Sequence, residues 1–378
     1  MRHQVEVNRY DFIDALRGLA ILPVILIHTT YIVQPGQPFL RLVAANGVYG
    51  VQLFYVVSAL TLFLSIDQRK ANESRPTLNF FIRRFFRIAP LFYLALIVYT
   101  LIYGTGPNYW TPDGVHWWQY LLSILFLNSW HPEAINAIIP IGWSIAVEMA
   151  FYWLIPFLHK MLKDVRSTLI FIVASLFLQK LLAVTLNPIL RQVIPTYIVN
   201  SYFYFWLFAQ LPVFGLGILA YQIARNPQSH RDPKLGVGLL VTSLFLFLAF
   251  LNVSSYMDLI HPHVFFGIGF LGLTLALFFH PIKILVNPII CWLGKVSYSL
   301  YLVHFILVVY IQKLIHVQLP FGKSTQFVLY YLAVVLISSA ISAVTYRFIE
   351  KPGIRLGKQL IQKLESRTSR MTVEEPVS

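Results

Sequence analysis

From Leu235 to Leu251 no side chain is charged, and apolar runs of this kind recur along the whole chain. Inside a bilayer every backbone N–H and C=O must be bonded within the protein, so ~20 mainly apolar residues in a row read as a membrane-crossing helix. Ten segments qualify: 12–34, 47–66, 84–104, 142–160, 168–186, 203–224, 235–253, 263–280, 297–316 and 326–348. Trp117–Leu127 is apolar but too short to cross, and reads as re-entrant or interfacial. The expectation is an all-α, polytopic integral membrane protein with about ten transmembrane helices.

Basic residues supply the orientation. Arg2 and Arg9 precede the first helix, and Arg69, Lys70, Arg75, Arg83, Arg84 and Arg87 follow the second. Later clusters are Lys160, Lys163 and Arg166, then Arg225, Arg231 and Lys234, then Lys283 and Lys295, then the C-terminal group from Lys351 onward. The alternate connections hold little beyond Arg41, Arg191 and Lys323, and Gly104–Pro140 carries no Lys or Arg. Cytoplasmic loops are the Lys- and Arg-rich ones, so both termini are expected in the cytoplasm. Asp11, Asp14 and Arg17 interrupt the start of the first apolar run and no small-residue cleavage site follows, so that run is read as a retained helix. Residues 1–356 read as one transmembrane domain. Residues 357–378 read as a short, polar, disordered cytoplasmic tail, with no appended soluble domain.

Composition excludes other classes. Charged residues are 12% against ~25% in an average soluble domain, too few to coat a water-soluble surface of this length. The net charge of +14 is spread between apolar runs rather than along one stripe, which speaks for membrane orientation and against nucleic acid. One cysteine, Cys291, excludes an intramolecular disulfide and any multi-cysteine metal site, and no metal is expected.

Ionisable groups inside apolar helices are costly and mark function by default. Arg17 and His28 lie eleven residues apart, which is ~1100° of rotation and ~16 Å of rise, so they share a face at different depths. Glu148 lies about six residues inside its helix, at a depth similar to His28, where it could orient the imidazole and stabilise its charged form. Arg84 and Arg87, at i and i+3, share a face and could grip phosphate through guanidinium forks. Tyr298, Tyr301 and His304 recur every three residues and could line one side of a pore. Snorkelling, positive-inside anchoring and an interfacial tyrosine belt are the structural alternatives for these residues.

Six stretches, in order, resemble the acyltransferase 3 family of membrane acyltransferases that modify surface sugars. They are Phe12–Ala20 followed by His28, Gly50–Ser58, Arg84–Leu91, Trp143–Tyr152, Gly294–His304 and Tyr346–Pro352. Ala59 stands where a glycine commonly follows the serine of the second motif. The resemblance implies transfer of an acetyl group from acetyl-CoA, a co-substrate rather than a bound cofactor, to a hydroxyl of a surface polysaccharide or lipid-linked glycan. It places such an enzyme, multi-pass, in a bacterial inner membrane. Carried onto this sequence, His28 would be the general base, with Glu148 and Arg17 beside it in catalysis. Arg84, Arg87, Tyr298, Tyr301 and His304 would hold the acyl-CoA. Trp143, Ser144 and Tyr152 would line the acceptor mouth. A transporter or flippase for a small anion or a lipid-linked sugar would carry intramembrane charges equally naturally, but no inverted repeat or paired broken helix is visible.

Overall fold

A computed structural model describes residues 11–70, 72–225, 232–251, 260–314 and 320–374. Among them there is no strand. The helices are α1 (Asp11–Thr29), α2 (Pro38–Ala45), α3 (Gly50–Lys70), α4 (Pro76–Tyr103), α5 (Trp117–Ile124), α6 (Trp143–Met161), α7 (Val165–Leu190) and α8 (Thr196–Phe205). They continue as α9 (Leu207–Ala224), α10 (Pro233–Phe250), α11 (Pro262–Phe279), α12 (Pro288–Lys295), α13 (Ser297–Leu314), α14 (Lys323–Thr345) and α15 (Lys351–Glu374). Local chemistry marks many starts. Proline opens α2, α4, α10, α11 and α12, where a missing N–H costs nothing. Asp164, Asp232 and Asn287 accept hydrogen bonds from the first free amides of α7, α10 and α12.

Each of the ten expected segments coincides with a helix. By length and composition, eight spans among the described residues can cross a membrane, or nine if α12 and α13 count as one broken span. α6 is not among them, because Trp143, Glu148, Tyr152, Trp153, His159 and Lys160 dilute its apolar run. The interruption is informative, since several of these side chains face inward. α5, within Trp117–Leu127, is a single short helix.

Burial separates a centre from a rim. The span through α3 is 78% buried and that through α8 and α9 83%, whereas the spans of α7 and α10 are each 11% buried. Phe177 and Leu181 on α7, and Phe245 and Leu248 on α10, face outward, as lipid-facing surfaces must when tails are as apolar as leucine.

Two close backbone approaches position the site. A Cβ on Gly18 would fall 2.1 Å from the Ile290 carbonyl oxygen, and one on Gly294 1.7 Å from that of Asp14. Only glycine lets α1 and α12 approach this closely. Between α12 and α13 the chain turns by 79°, which brings Ser297 and Tyr298 beside Arg17 at the edge of one cavity. Near the same α13 start, α14 passes into a π-turn over Tyr346–Glu350. The buried Glu350 there accepts a hydrogen bond from Ser299 of α13.

The tail differs from its sequence reading. Helix continues through Glu374 rather than giving way to disorder at Gly357. Charge dominates this stretch, but Gly353, Gly357 and Ile361 recur at i+4 and form a seam, with both glycines against Phe86 of α4 and Ile361 buried. One turn on, Glu365 accepts from Asn79 Nδ2 at 2.6 Å and from the Ser74 amide at 3.0 Å, tying α15 to the start of α4.

Candidate active site

A cavity of about 90 Å³ lies between α1, α3, α4, α6 and α13. Arg17 enters it from α1, Ser58 from α3, Arg84 and Arg87 from α4, and Ser144, Glu148 and Tyr152 from α6. Ser297, Tyr298 and Tyr301 enter from α13. Spacing explains the convergence: Ser144, Glu148 and Tyr152 follow one another at i+4, and Tyr298 and Tyr301 at i+3.

The charges in this cavity are unequal. Glu148 Oε1 accepts from Ser58 Oγ at 2.5 Å and from Tyr152 Oη at 2.7 Å. Arg17 leans on Asp14 at 3.7 Å and on Thr61 Oγ1 at 3.4 Å. Arg84 lies over the rings of Phe80 and Tyr152, 5.7 and 5.6 Å from their centroids, and its buried Nε has no hydrogen-bond partner. Among the described residues, neither Arg84 nor Arg87 has a carboxylate within 4 Å. With Glu148 the one carboxylate, among the described residues, lining a cavity that three guanidinium groups enter, the surplus positive charge suits an anion.

The histidines form a separate unit. His28 Nδ1 is 2.9 Å from His304 Nε2, and His304 Nδ1 is 3.0 Å from the Leu300 carbonyl. A carbonyl only accepts, so His304 carries its proton on Nδ1 and offers Nε2 as acceptor when neutral. His28 then donates from Nδ1 and keeps a lone pair on Nε2. Phe305 packs edge-on against the His28 ring at 5.0 Å, and Tyr31 lies at 5.8 Å. Tyr301 adjoins both regions: it lines the cavity, its hydroxyl accepts from Ser144 Oγ at 2.7 Å and donates to Ile141 O at 3.0 Å, and its ring is 5.8 Å from that of His304.

The structure therefore brings together Arg17, Arg84, Arg87, Ser144, Glu148, Tyr152, Tyr298 and Tyr301, and pairs His28 with His304. Three sequence expectations need correction. The partner of His28 is His304, not Glu148, because equal depth along two helices says nothing about which faces meet. Ser144 and Tyr152 share the arginine cavity rather than a distinct acceptor mouth. Trp143 lines no cavity wall; it is buried, 4.6 Å from Phe205 and 6.2 Å from Tyr55 between ring centroids. Sequence reasoning left Ser58 and Thr61 out of the site. Their small hydroxyls, one turn apart in the apolar run 53–64 of α3, were the available signal. Among the described residues, no group of three or more His, Cys, Asp or Glu side chains could hold a metal ion.

This geometry coincides with a family assignment. The model for an acyltransferase domain, acyltransferase 3, matches residues 10–347. O-acetyltransferase OatA of Staphylococcus aureus, in strains NCTC 8325 / PS 47 and COL, is 26% identical over 365 residues, covering 90% of this chain. The chain spans 56% of the length of these relatives. No solved structure matches. With the family model covering nearly all of the described helices, the chain belongs to the acyltransferase 3 family.

Proposed function

We propose that this protein is a membrane O-acyltransferase that moves an acetyl group from cytoplasmic acetyl-CoA to a sugar hydroxyl of a cell-surface polysaccharide or its lipid-linked precursor. Its setting on this reading is a bacterial inner membrane, with both termini in the cytoplasm. The observation that carries the proposal is a cavity with three arginines and one carboxylate lying beside a histidine pair whose hydrogen bonds leave His28 Nε2 free to accept a proton.

The arginines suit the anionic donor, and the histidine suits the acceptor. An acetyl thioester carries no charge, but the rest of coenzyme A carries phosphates that Arg84 and Arg87 can fork onto. His28 Nε2 takes the proton of the sugar hydroxyl as its oxygen bonds to the thioester carbonyl carbon. The C–S bond then breaks, and the thiolate leaves toward the positive charge of Arg17. As His28 becomes an imidazolium, its Nδ1–H bond to His304 becomes charge-assisted and strengthens. Tyr301 lies between the two regions.

The test uses protein purified in detergent with acetyl-CoA labelled in the acetyl group. Slow release of label without acceptor, and transfer to a glycan acceptor when one is added, is the expected result. A transporter would bind and release coenzyme A without cleaving the thioester. Unchanged thioester after prolonged incubation, together with unaltered O-acetylation of surface glycans in cells lacking the protein, would sink the proposal.

A further inference from the structure

A second cavity, of about 250 Å³, opens between α3, α4 and α6 at the end of the bundle that carries Arg69. Arg69, Arg83, His159 and Lys160 line it. Two of these are braced. Arg83 forks onto Glu73 at 2.6 and 3.2 Å, and His159 Nε2 is 2.7 Å from Asp67 Oδ1. Arg69 reaches Glu73 only at 3.8 Å, and Lys160 has no carboxylate within 4 Å among the described residues. The two carboxylates thus balance only part of the positive charge, while fixing where it points. The first turn of α4, Pro76 and Thr77, faces the same space, and its preceding amides, those of Ser74 and Arg75, are already taken by Glu365 of α15.

We infer that this cavity holds the adenosine 3′-phosphate end of the acyl donor, while Arg84 and Arg87 hold its diphosphate and the thioester end lies deeper in the arginine cavity, an inference that rests on acyl-CoA being the donor. The two cavities share walls. On α4, Arg83 faces the second cavity and Arg87 the first, one turn apart. Phe80 lines the second, and its ring lies beneath the Arg84 guanidinium of the first. On α3, Ser58 and Ile66 mark the two cavities, eight residues or ~12 Å apart. The arm of coenzyme A between diphosphate and sulfur holds two amide units. It is comparable with three to four extended residues, ~11–14 Å, so a donor with its diphosphate at Arg84 and Arg87 and its nucleotide beyond them is long enough to occupy both cavities. An anionic lipid headgroup offers the same phosphate chemistry at a membrane surface, and the experiment separates the two sources.

Arg69 and Lys160 are exposed, so the double variant Arg69→Gln/Lys160→Gln should leave the fold intact. Binding of adenosine 3′,5′-bisphosphate, the nucleotide end alone, is measured by calorimetry in phosphatidylcholine nanodiscs. Wild type should bind it, and the double variant should bind about tenfold more weakly, a change of ~1.4 kcal/mol. The KM for acetyl-CoA should rise by about the same factor, while turnover of S-acetylpantetheine, which lacks the nucleotide, stays unchanged. Equal nucleotide affinity in both proteins overturns the inference. So does a variant whose sole defect is a lost response to added phosphatidylglycerol, which assigns the cavity to lipid. Nucleotide binding by a wild type that leaves acetyl-CoA intact keeps this site and removes the donor reading instead.

Discussion

The arginine cavity and the histidine pair are built from the same helices in opposite ways. α1 supplies Arg17 to one and His28 to the other, and α13 supplies Tyr301 to one and His304 to the other. The cavity gathers three guanidinium groups around one carboxylate, a fixed surplus of positive charge. The pair has no carboxylate partner within 4 Å among the described residues, and its two rings bond to each other. A fixed charge surplus binds an anion at any physiological pH. A neutral imidazole with a free nitrogen exchanges a proton. On the proposed reading the difference separates holding the donor from activating the acceptor, and substitutions can break that separation.

The largest effect is expected at His28. On that reading His28→Ala removes the proposed base and should lower transfer by ~10²–10⁴-fold, with acetyl-CoA affinity unchanged in a binding assay. A well-inserted His28→Ala protein with near-normal transfer would end the division of labour proposed here. Next come the arginines. Arg84→Ala and Arg87→Ala each remove a charge-assisted contact worth ~1.5–3 kcal/mol, so KM for the donor should rise about tenfold to a hundredfold while kcat changes little. Lysine at either position should restore only part of the affinity, because it offers a point charge in place of a planar fork. Normal donor affinity in both alanine variants would leave these residues as orientation signals alone.

A pair of variants then asks which group supports the base. The sequence reading assigns this to Glu148, and the geometry assigns it to His304. His304→Leu removes the acceptor for His28 Nδ1 and should cost about tenfold in kcat, a charged hydrogen bond lost. It should also displace the limb of the pH–rate profile attributed to His28. Glu148→Gln keeps an acceptor for Ser58 and Tyr152, so it should leave that limb in place and change kcat by less than about threefold. A displaced limb in Glu148→Gln and an unmoved one in His304→Leu would restore the sequence reading.

Why the sequence pointed to the wrong partner is a matter of dimensions. Helical periodicity gave Arg17 and His28 a common face, and counting residues from the helix ends gave Glu148 a depth close to that of His28. Depth is one coordinate. Which faces meet depends on packing, here on Gly18 and Gly294 letting α1 lie against α12 and on the 79° turn into α13. The His28–His304 bond joins residues 276 apart in sequence, and no local pattern encodes it. The spans themselves were legible because apolarity is a local property. In α15 the same property misled, because a narrow seam of Gly353, Gly357 and Ile361 was hidden among charges.

Tyr301 offers the finest test, and the smallest effect. Its hydroxyl accepts a hydrogen bond from Ser144 Oγ and donates one to Ile141 O, while its ring lies 5.8 Å from that of His304. Tyr301→Phe keeps the ring and removes the hydroxyl. Ser144 Oγ then loses its acceptor and Ile141 O its donor, at a net cost of ~0.5–1.5 kcal/mol for each bond. If the two regions work independently, that cost falls on stability alone. The variant should then melt at a lower temperature, with kcat and donor KM both within about twofold of wild type. If the acyl group must pass the Tyr301 level to reach His28, loosening that side chain should lower kcat several-fold at unchanged donor affinity. The second result is expected, because Tyr301 touches the cavity on one side and the histidine pair on the other. A rise in KM with unchanged kcat would place Tyr301 wholly on the donor side and move the boundary between the two regions outward to His304.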